Sequence, residues 1–201
     1  MKWKFQRDRS VLMVIDMQND FVLDGGIMQV KEAKNQLPKI KRLIGKCREL
    51  GVPVIYTIQE TDPVFCALEV ASFPPLKEAG MRKGTSGIQI VDELAPEPDE
   101  MIIQKRRFSA FYQTDLELVL RNIRGSVCPV DTVIICGTVT NICCESTARD
   151  AYFRDYKVVF GTDICSANTP ESHNATLANM EIFGRNMDCE SIIAALEIGE
   201  G

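Results

Sequence analysis

Three cysteines fall within CGTVTNICC at 136–144, and two of them, Cys143 and Cys144, are adjacent. Metal ligation, a redox pair, core packing and nucleophilic attack are the chemistries such a cluster can serve. No C-x-x-C pair occurs among the eight cysteines, and the single histidine, His173, cannot complete a Cys/His zinc set at the usual spacing. A disulfide between chain neighbours strains the peptide that joins them, so Cys143–Cys144 is a poor bridge. Packing and nucleophilic attack are the better readings.

A thiol nucleophile needs a base, and histidine is the usual one. His173 lies in PESHNAT, a polar helix start that suits an exposed structural role. Asp16 in DMQNDF and Lys105 in KRRFSAF are the other candidates, each directly after an apolar run. A carboxylate accepts a thiol proton only if burial raises its pKa or if the transfer is coupled to attack. Lys105 would balance the charge and orient the base or the substrate. An Asp–Lys ion pair beside a spectator cysteine remains the competing reading.

The two adjacent thiols separate by helical position. With Thr140 as a capping hydroxyl, Cys143 occupies the first turn, where helix N–H groups lower a thiol pKa. Cys144 joins Ala148, Ala151 and Tyr152 on an apolar stripe facing the sheet. Cys143 is the expected nucleophile. Cys136 ends an apolar run and Cys144 packs.

Elements that would position these residues alternate along the chain. Apolar runs VLMVI (11–15), VPVIYTI (52–58), EMIIQ (100–104), DTVIIC (131–136) and YKVVFG (156–161) read as strands buried on both faces. Helical spacing covers 32–50, 87–94, 114–124, 140–154 and 170–183, with start signals at Thr114 and Pro170. The fold class is α/β, a three-layer α-β-α arrangement around a central, mostly parallel sheet. Ligands of such sheets bind beyond the carboxyl ends of the strands, where Asp16, Lys105 and Cys143 all fall, at what read as three adjacent strand ends. The stretch 59–87 lacks periodicity and reads as a lid or an interface.

Composition excludes several classes. The chain of 201 residues, 45% hydrophobic and 25% charged, suits one globular core. A net charge of −5 without a basic block gives no nucleic-acid footprint. No run is long enough to span a bilayer, and MKWKFQRDRS has no apolar signal core, so a cytoplasmic location is expected.

Four motifs in order, DMQNDF (16–21), RKGTSGIQIVDEL (82–94), KRRFSAFYQTDL (105–116) and GTVTNICCESTARDAYFRDYKVV (137–159), resemble the isochorismatase-like cysteine hydrolases. The resemblance runs from about residue 11 to 193 and implies a single domain of that fold over 1–201. It implies Asp16, Lys105 and Cys143 as the catalytic set, a non-proline cis peptide at Thr138–Val139, and an oxyanion hole from the N–H groups of Val139 and Cys143. The implied reaction is hydrolysis of a C–N bond in a small carbamoyl, ureido or amide substrate through a thioester on Cys143. Vinyl-ether hydrolysis through Asp16 and a silent binding protein are the alternatives. Phe21, Phe111 and Tyr112 are expected to wall the pocket, and Gln59 to offer a polar contact. Nicotinamidases of this group carry a metal on a D-x-H…H pattern after the second strand. Here Gln59 and Thr61 stand there without histidine, so no metal and no other cofactor is expected. Ser86 replaces a frequent aromatic residue. The family forms oligomers, so a homo-oligomer, dimer or tetramer, is expected, with a small-molecule substrate and neither nucleic acid nor membrane as partner.

Overall fold

The structure, a computed structural model, describes residues 3–62, 68–125 and 128–199. Six strands form one sheet: β1 (Ser10–Ile15), β2 (Val54–Gln59), β3 (Met101–Lys105), β4 (Thr132–Thr138), β5 (Lys157–Ser166) and β6 (Arg185–Met187). Their order is β3-β2-β1-β4-β5-β6, and every pairing is parallel. The direction of winding reverses between β1 and β4, which leaves a crevice beyond their carboxyl ends.

Two apolar layers cover the sheet. Leu12, Val14, Tyr56 and Cys136 face α2 (Lys31–Glu49) and α8 (Cys189–Ile198). Met13, Ile15, Ile55, Ile103 and Ile135 face α5 (Leu116–Asn122), α6 (Glu145–Tyr152) and α7 (Pro170–Phe183). Odd and even residues of one strand thus serve opposite cores, which is why β1 and β4 are unbroken apolar runs. Each buried Val, Leu or Ile contributes about 1.5–3 kcal/mol relative to exposure. Three short helices complete the described chain: α1 (Asn19–Val22), α3 (Leu68–Ser72) and α4 (Pro74–Glu78).

Several boundaries differ from the sequence reading for physical reasons. No helix forms over 87–94. The Gln18 side chain and the Asn19 N–H take the carbonyls of Ile88 and Gln89, and Val91 donates to Met17, so the segment lies as a strap along 17–19. Short 3-10 turns flank it at Ser86–Ile88 and Asp92–Leu94. Asp115 stands directly before α5, while the Thr114 hydroxyl accepts the first helical N–H, of Leu116 (3.2 Å), and donates to the Ala110 carbonyl. Tyr152 lies outside the buried stripe of α6, half exposed against Phe183. The stretch 59–87 holds α3 and α4, while 63–67 lies outside the described residues. β6 and α8 lie beyond the elements expected from the apolar runs, and α8 carries a plain signature: Asp188 accepts from the Ser191 N–H (2.7 Å), and Gly199 closes it at φ 56°.

Candidate active site

β1 ends at Ile15, and Asp16 turns the chain with φ 48°, a left-handed conformation that aspartate tolerates better than most residues. Its backbone carbonyl then accepts from the Gln18 N–H (2.8 Å). Thr57 of β2 fixes the carboxylate, donating to Oδ1 (2.5 Å) while accepting the Asp16 N–H (3.1 Å). The second oxygen, Oδ2, lies 2.7 Å from Lys105 Nζ, the last side chain of β3, and both side chains are fully buried. That ammonium also donates to Gln59 Oε1 (2.6 Å) and to the Arg107 carbonyl (3.2 Å), and lies 3.5 Å from Cys143 Sγ.

The strand ends of Asp16, Lys105 and Cys143 are therefore not adjacent: β2 intervenes between β1 and β3. Strand parity makes it the bridge. Ile55 points into the same layer as Ile103, so Thr57 and Gln59 share the face of Lys105 and reach Asp16 and Lys105 respectively. Gln18 locks the arrangement from below. Its Nε2 donates to the Gln59 and Ile88 carbonyls (3.0 and 2.8 Å), and its Oε1 accepts the Gln59 N–H (2.8 Å). Asp20 accepts the Met81 N–H (2.8 Å), and a Cβ on Gly87 would collide with its carboxylate. DMQND therefore holds one reactive group and a fastening for the 80–91 strap. Gln18 and Thr57 escaped the sequence reading because a buried polar residue announces no partner until the register is known.

Cys143 follows β4. Gly137 at φ 119° lets β4 approach the Ile15 backbone more closely than any side chain allows, and the Thr138–Val139 peptide is cis. The next turn, Thr140–Cys144, is π-helical rather than α-helical. The Val139 carbonyl accepts from Ile142 (3.0 Å) and Cys144 (3.2 Å), the N–H groups on either side of that of Cys143. The Thr140 hydroxyl does not cap this turn; it pairs with His173 Nδ1 (3.0 Å), whose Nε2 meets the Thr162 carbonyl (3.0 Å). His173 is thus a half-buried brace rather than an exposed residue.

Electrostatics revise one expectation. Burial pushes the Cys143 thiol up, Lys105 draws it down, and Asp16 pushes it up again by charge and hydrogen bond, leaving it well above the ordinary thiol range. Burial thus favours the protonated thiol over the thiolate expected of a helix N-terminus, and the charge of Lys105 does not reverse it. For Lys105, burial favours the neutral amine, but Asp16 and then Cys143 outweigh it and raise its pKa.

A narrow cavity of about 30 Å³ reaches Cys143. Phe21 and Gln59 line it, as do Val139 and Ile142, under Met28, Phe73, Leu76 and Phe108. The structure does not bring Phe111 and Tyr112 here. Phe111 packs on Tyr156 (5.9 Å) beneath Arg154, and Tyr112 lies under Arg107 on the surface. Phe108, three residues after Lys105, takes the expected place. A wider groove of about 310 Å³ beside Arg48, Val54 and Met101 opens at the opposite strand ends and holds no nucleophile. Among the described residues, no three His, Cys, Asp or Glu side chains gather as a metal site, and no helix is long and apolar enough to cross a membrane.

A thiol, a carboxylate and an ammonium thus gather beyond the carboxyl ends of an all-parallel sheet, where α/β proteins bind their ligands. The isochorismatase domain model matches residues 10–191, and the chain belongs to the isochorismatase family. Relatives include a probable inactive nicotinamidase of Arabidopsis thaliana, 36% identical over 87% of this chain and 89% of that one. The ureidoacrylate amidohydrolase RutB of Methylorubrum extorquens is 31% identical over 98% of this chain and 86% of its own. A crystal structure of a cysteine hydrolase from Pseudomonas syringae pv. phaseolicola superposes with a TM-score of 0.90 at 29% identity, covering 99% of this chain and 97% of that one.

Proposed function

We propose that this protein is an amidohydrolase that cleaves a small amide, carbamoyl or ureido C–N bond through a thioester on Cys143, without a metal. The observation that carries this reading is the buried contact of three groups, Asp16 Oδ2 and Cys143 Sγ at 2.7 and 3.5 Å from one ammonium. A neutral thiol beside a carboxylate gives up its proton as it attacks, so no free thiolate is required. The thiol proton passes to Asp16 while sulfur bonds to the substrate carbonyl carbon. The Val139 and Cys143 N–H groups receive the oxyanion, a contribution of about 10²–10³ in rate for one such donor. As the C–N bond breaks, Asp16 returns the proton to the departing nitrogen. Water, deprotonated by Asp16, then attacks the thioester, and sulfur leaves with that proton. Lys105 stays charged and offsets the carboxylate at each stage.

Gln59 and Phe21 are the substrate contacts in this reading. The Lys105 ammonium must face Gln59 Oε1, since it can only donate, which fixes the amide and leaves Nε2 as a buried donor without a partner among the described residues. A neutral acceptor on the substrate fits that donor. The test is ammonia release across a panel of small amides and ureas, with hydroxylamine added to trap the acyl group. Wild type forms hydroxamate and Cys143→Ala forms neither product; full turnover by Cys143→Ala removes the thioester. Activity lost with Asp16 yet kept without Cys143 would instead support vinyl-ether chemistry.

A further inference from the structure

Resting on the amidohydrolase reading above, we infer that the acyl part of the substrate is uncharged and mainly apolar, and that the site rejects amides carrying a second, ionised carboxylate. Among the described residues, every side chain lining the cavity is uncharged, and only Gln59 and Cys143 are polar. The walls that would meet an acyl chain are Phe21, Met28, Phe73, Leu76, Phe108 and Ile142. A carboxylate placed among them exchanges its water for carbon, which is unfavourable unless a cation meets it.

Most cations on the surrounding segments already have partners, the exposed Lys77 of α4 excepted. Lys105 serves Asp16, Gln59 and the Arg107 carbonyl. Arg107 lies 3.7 Å from Glu69 and over the Tyr112 ring, while Arg82 donates to the Lys77 and Glu78 carbonyls. Lys83 is 4.0 Å from Glu60, whose backbone N–H is bonded to the Lys105 carbonyl. Glu60 and Glu69 thus offset the cations on the flanks of the site, and each has a buried carboxylate oxygen lacking a hydrogen-bond partner among the described residues. Glu69 belongs to α3, and α3 runs into Phe73 and α4, which roof the cavity. An anionic acyl group would find its nearest cations already held by carboxylates at the flank, and carbon inside.

Space points the same way. A cavity of about 30 Å³ holds roughly one water, so an acyl chain must displace the roof. Phe73 stacks edge-on against Phe108 at 5.9 Å and is 36% exposed, and unbranched Met28 adapts its shape. An apolar group that parts these side chains replaces their contacts with its own; a carboxylate cannot.

The test uses an isosteric pair, 4-methylpentanamide and succinamate, which differ by an isopropyl group against a carboxylate. Wild-type kcat/KM, read as ammonia release, is expected to be at least about 100-fold higher for the neutral amide. Phe73→Arg, which keeps a planar group over Phe108, is expected to move that ratio at least about tenfold toward succinamate. Equal or faster turnover of succinamate by wild type overturns the inference. If neither amide yields ammonia, nor any other on the panel, the amidohydrolase reading fails, and the matched aldehydes decide the pocket alone. The Cys143 sulfur adds to an aldehyde carbon and the thiol proton passes to its oxygen, so binding needs no C–N cleavage. Thermal stabilisation by 4-methylpentanal but not succinic semialdehyde, lost in Cys143→Ala, upholds the apolar pocket. Stabilisation by both, by the anion alone or by neither overturns it.

Discussion

The floor and the roof of the cavity are built on opposite plans. The floor is polar and rigid: Asp16, Thr57, Gln59 and Lys105 project from strand ends, each held by hydrogen bonds or an ion pair and each nearly or fully buried. The roof is apolar and carried on turns and five-residue helices, with Phe73 partly in solvent. Strand ends fix atoms to fractions of an ångström, as reacting groups require. Short helices yield at little cost, as admission requires. On the proposed function, chemistry belongs to the floor and choice of substrate to the roof, and substitutions in each should separate the two.

The largest effect is expected at the thiol. Cys143→Ala should lower kcat at least ~10³-fold with an unchanged circular dichroism spectrum, since among the described residues no other thiol lines the cavity. Cys144→Ala, one residue away but turned into the α5–α7 core, should keep kcat within about threefold and cost about 1 kcal/mol by denaturant titration. Comparable losses at both positions would mean that the cysteines matter for packing alone.

Next comes the ion pair. Lys105→Met leaves Asp16 charged and fully buried, so unfolding should become easier by about 3–5 kcal/mol as well as activity being lost. Adding Asp16→Asn should return a good part of that stability and none of the activity. A double variant no more stable than Lys105→Met would show that the pair is not ionised as drawn.

How much of this was readable beforehand follows the same division. Asp16, Lys105 and Cys143 announce themselves because charged or nucleophilic residues directly after apolar strands have few other reasons to be there. The strands themselves were legible from unbroken apolar runs. Strand order was not: β2 between β1 and β3 is a tertiary fact, and it makes Thr57 and Gln18 essential to the floor. The helix expected over 87–94 failed because hydrogen bonds from residues seventy positions away outweigh local spacing. The roof was the least legible. Phe108, Phe111 and Tyr112 are equivalent as letters, and only the path of the chain after β3 decides which one meets the cavity.

Gln18→Ala tests how the floor is fastened. It removes three hydrogen bonds and leaves buried backbone groups of Gln59 and Ile88 unpaired, for a cost of about 2–3 kcal/mol. Because Gln59 positions Lys105, kcat should fall about tenfold while KM moves less. A loss of stability without any change in kcat would detach the fastening from the chemistry.

Titration adds a test without substitution of the floor. Five buried thiols are raised above their ordinary range, Cys47 to about 12 and Cys189 to about 11 by burial, with Cys136, Cys143 and Cys144 pushed up for the same cause. A folded-state pKa above the unfolded one means that the native chain holds its proton longer. Stability from these groups is complete below the unfolded thiol value of about 8.5 and falls as pH rises toward the folded values. Unfolding midpoints should hold steady from pH 6 to 8 and drop by several degrees at pH 10. At pH 8, thiolate absorbance near 240 nm should not differ between wild type and Cys143→Ala; an excess in wild type would mean a preformed thiolate.

The smallest effect is expected in the roof, and it is the most discriminating. Phe73 lines the cavity but takes no part in the hydrogen bonds and ion pair of Asp16, Lys105 and Cys143, and its partial exposure limits the stability cost of truncation to about 1 kcal/mol. Phe73→Ala widens the entrance and removes apolar contact that an acyl chain makes equally before and during reaction. Contact of that kind lowers KM without raising kcat. For a neutral apolar amide, KM should therefore rise about three- to tenfold with kcat within twofold, and bulkier amides should gain relative to small ones. A fall in kcat as large as the rise in KM would mean that the roof also positions the carbonyl, and floor and roof would then act as one unit.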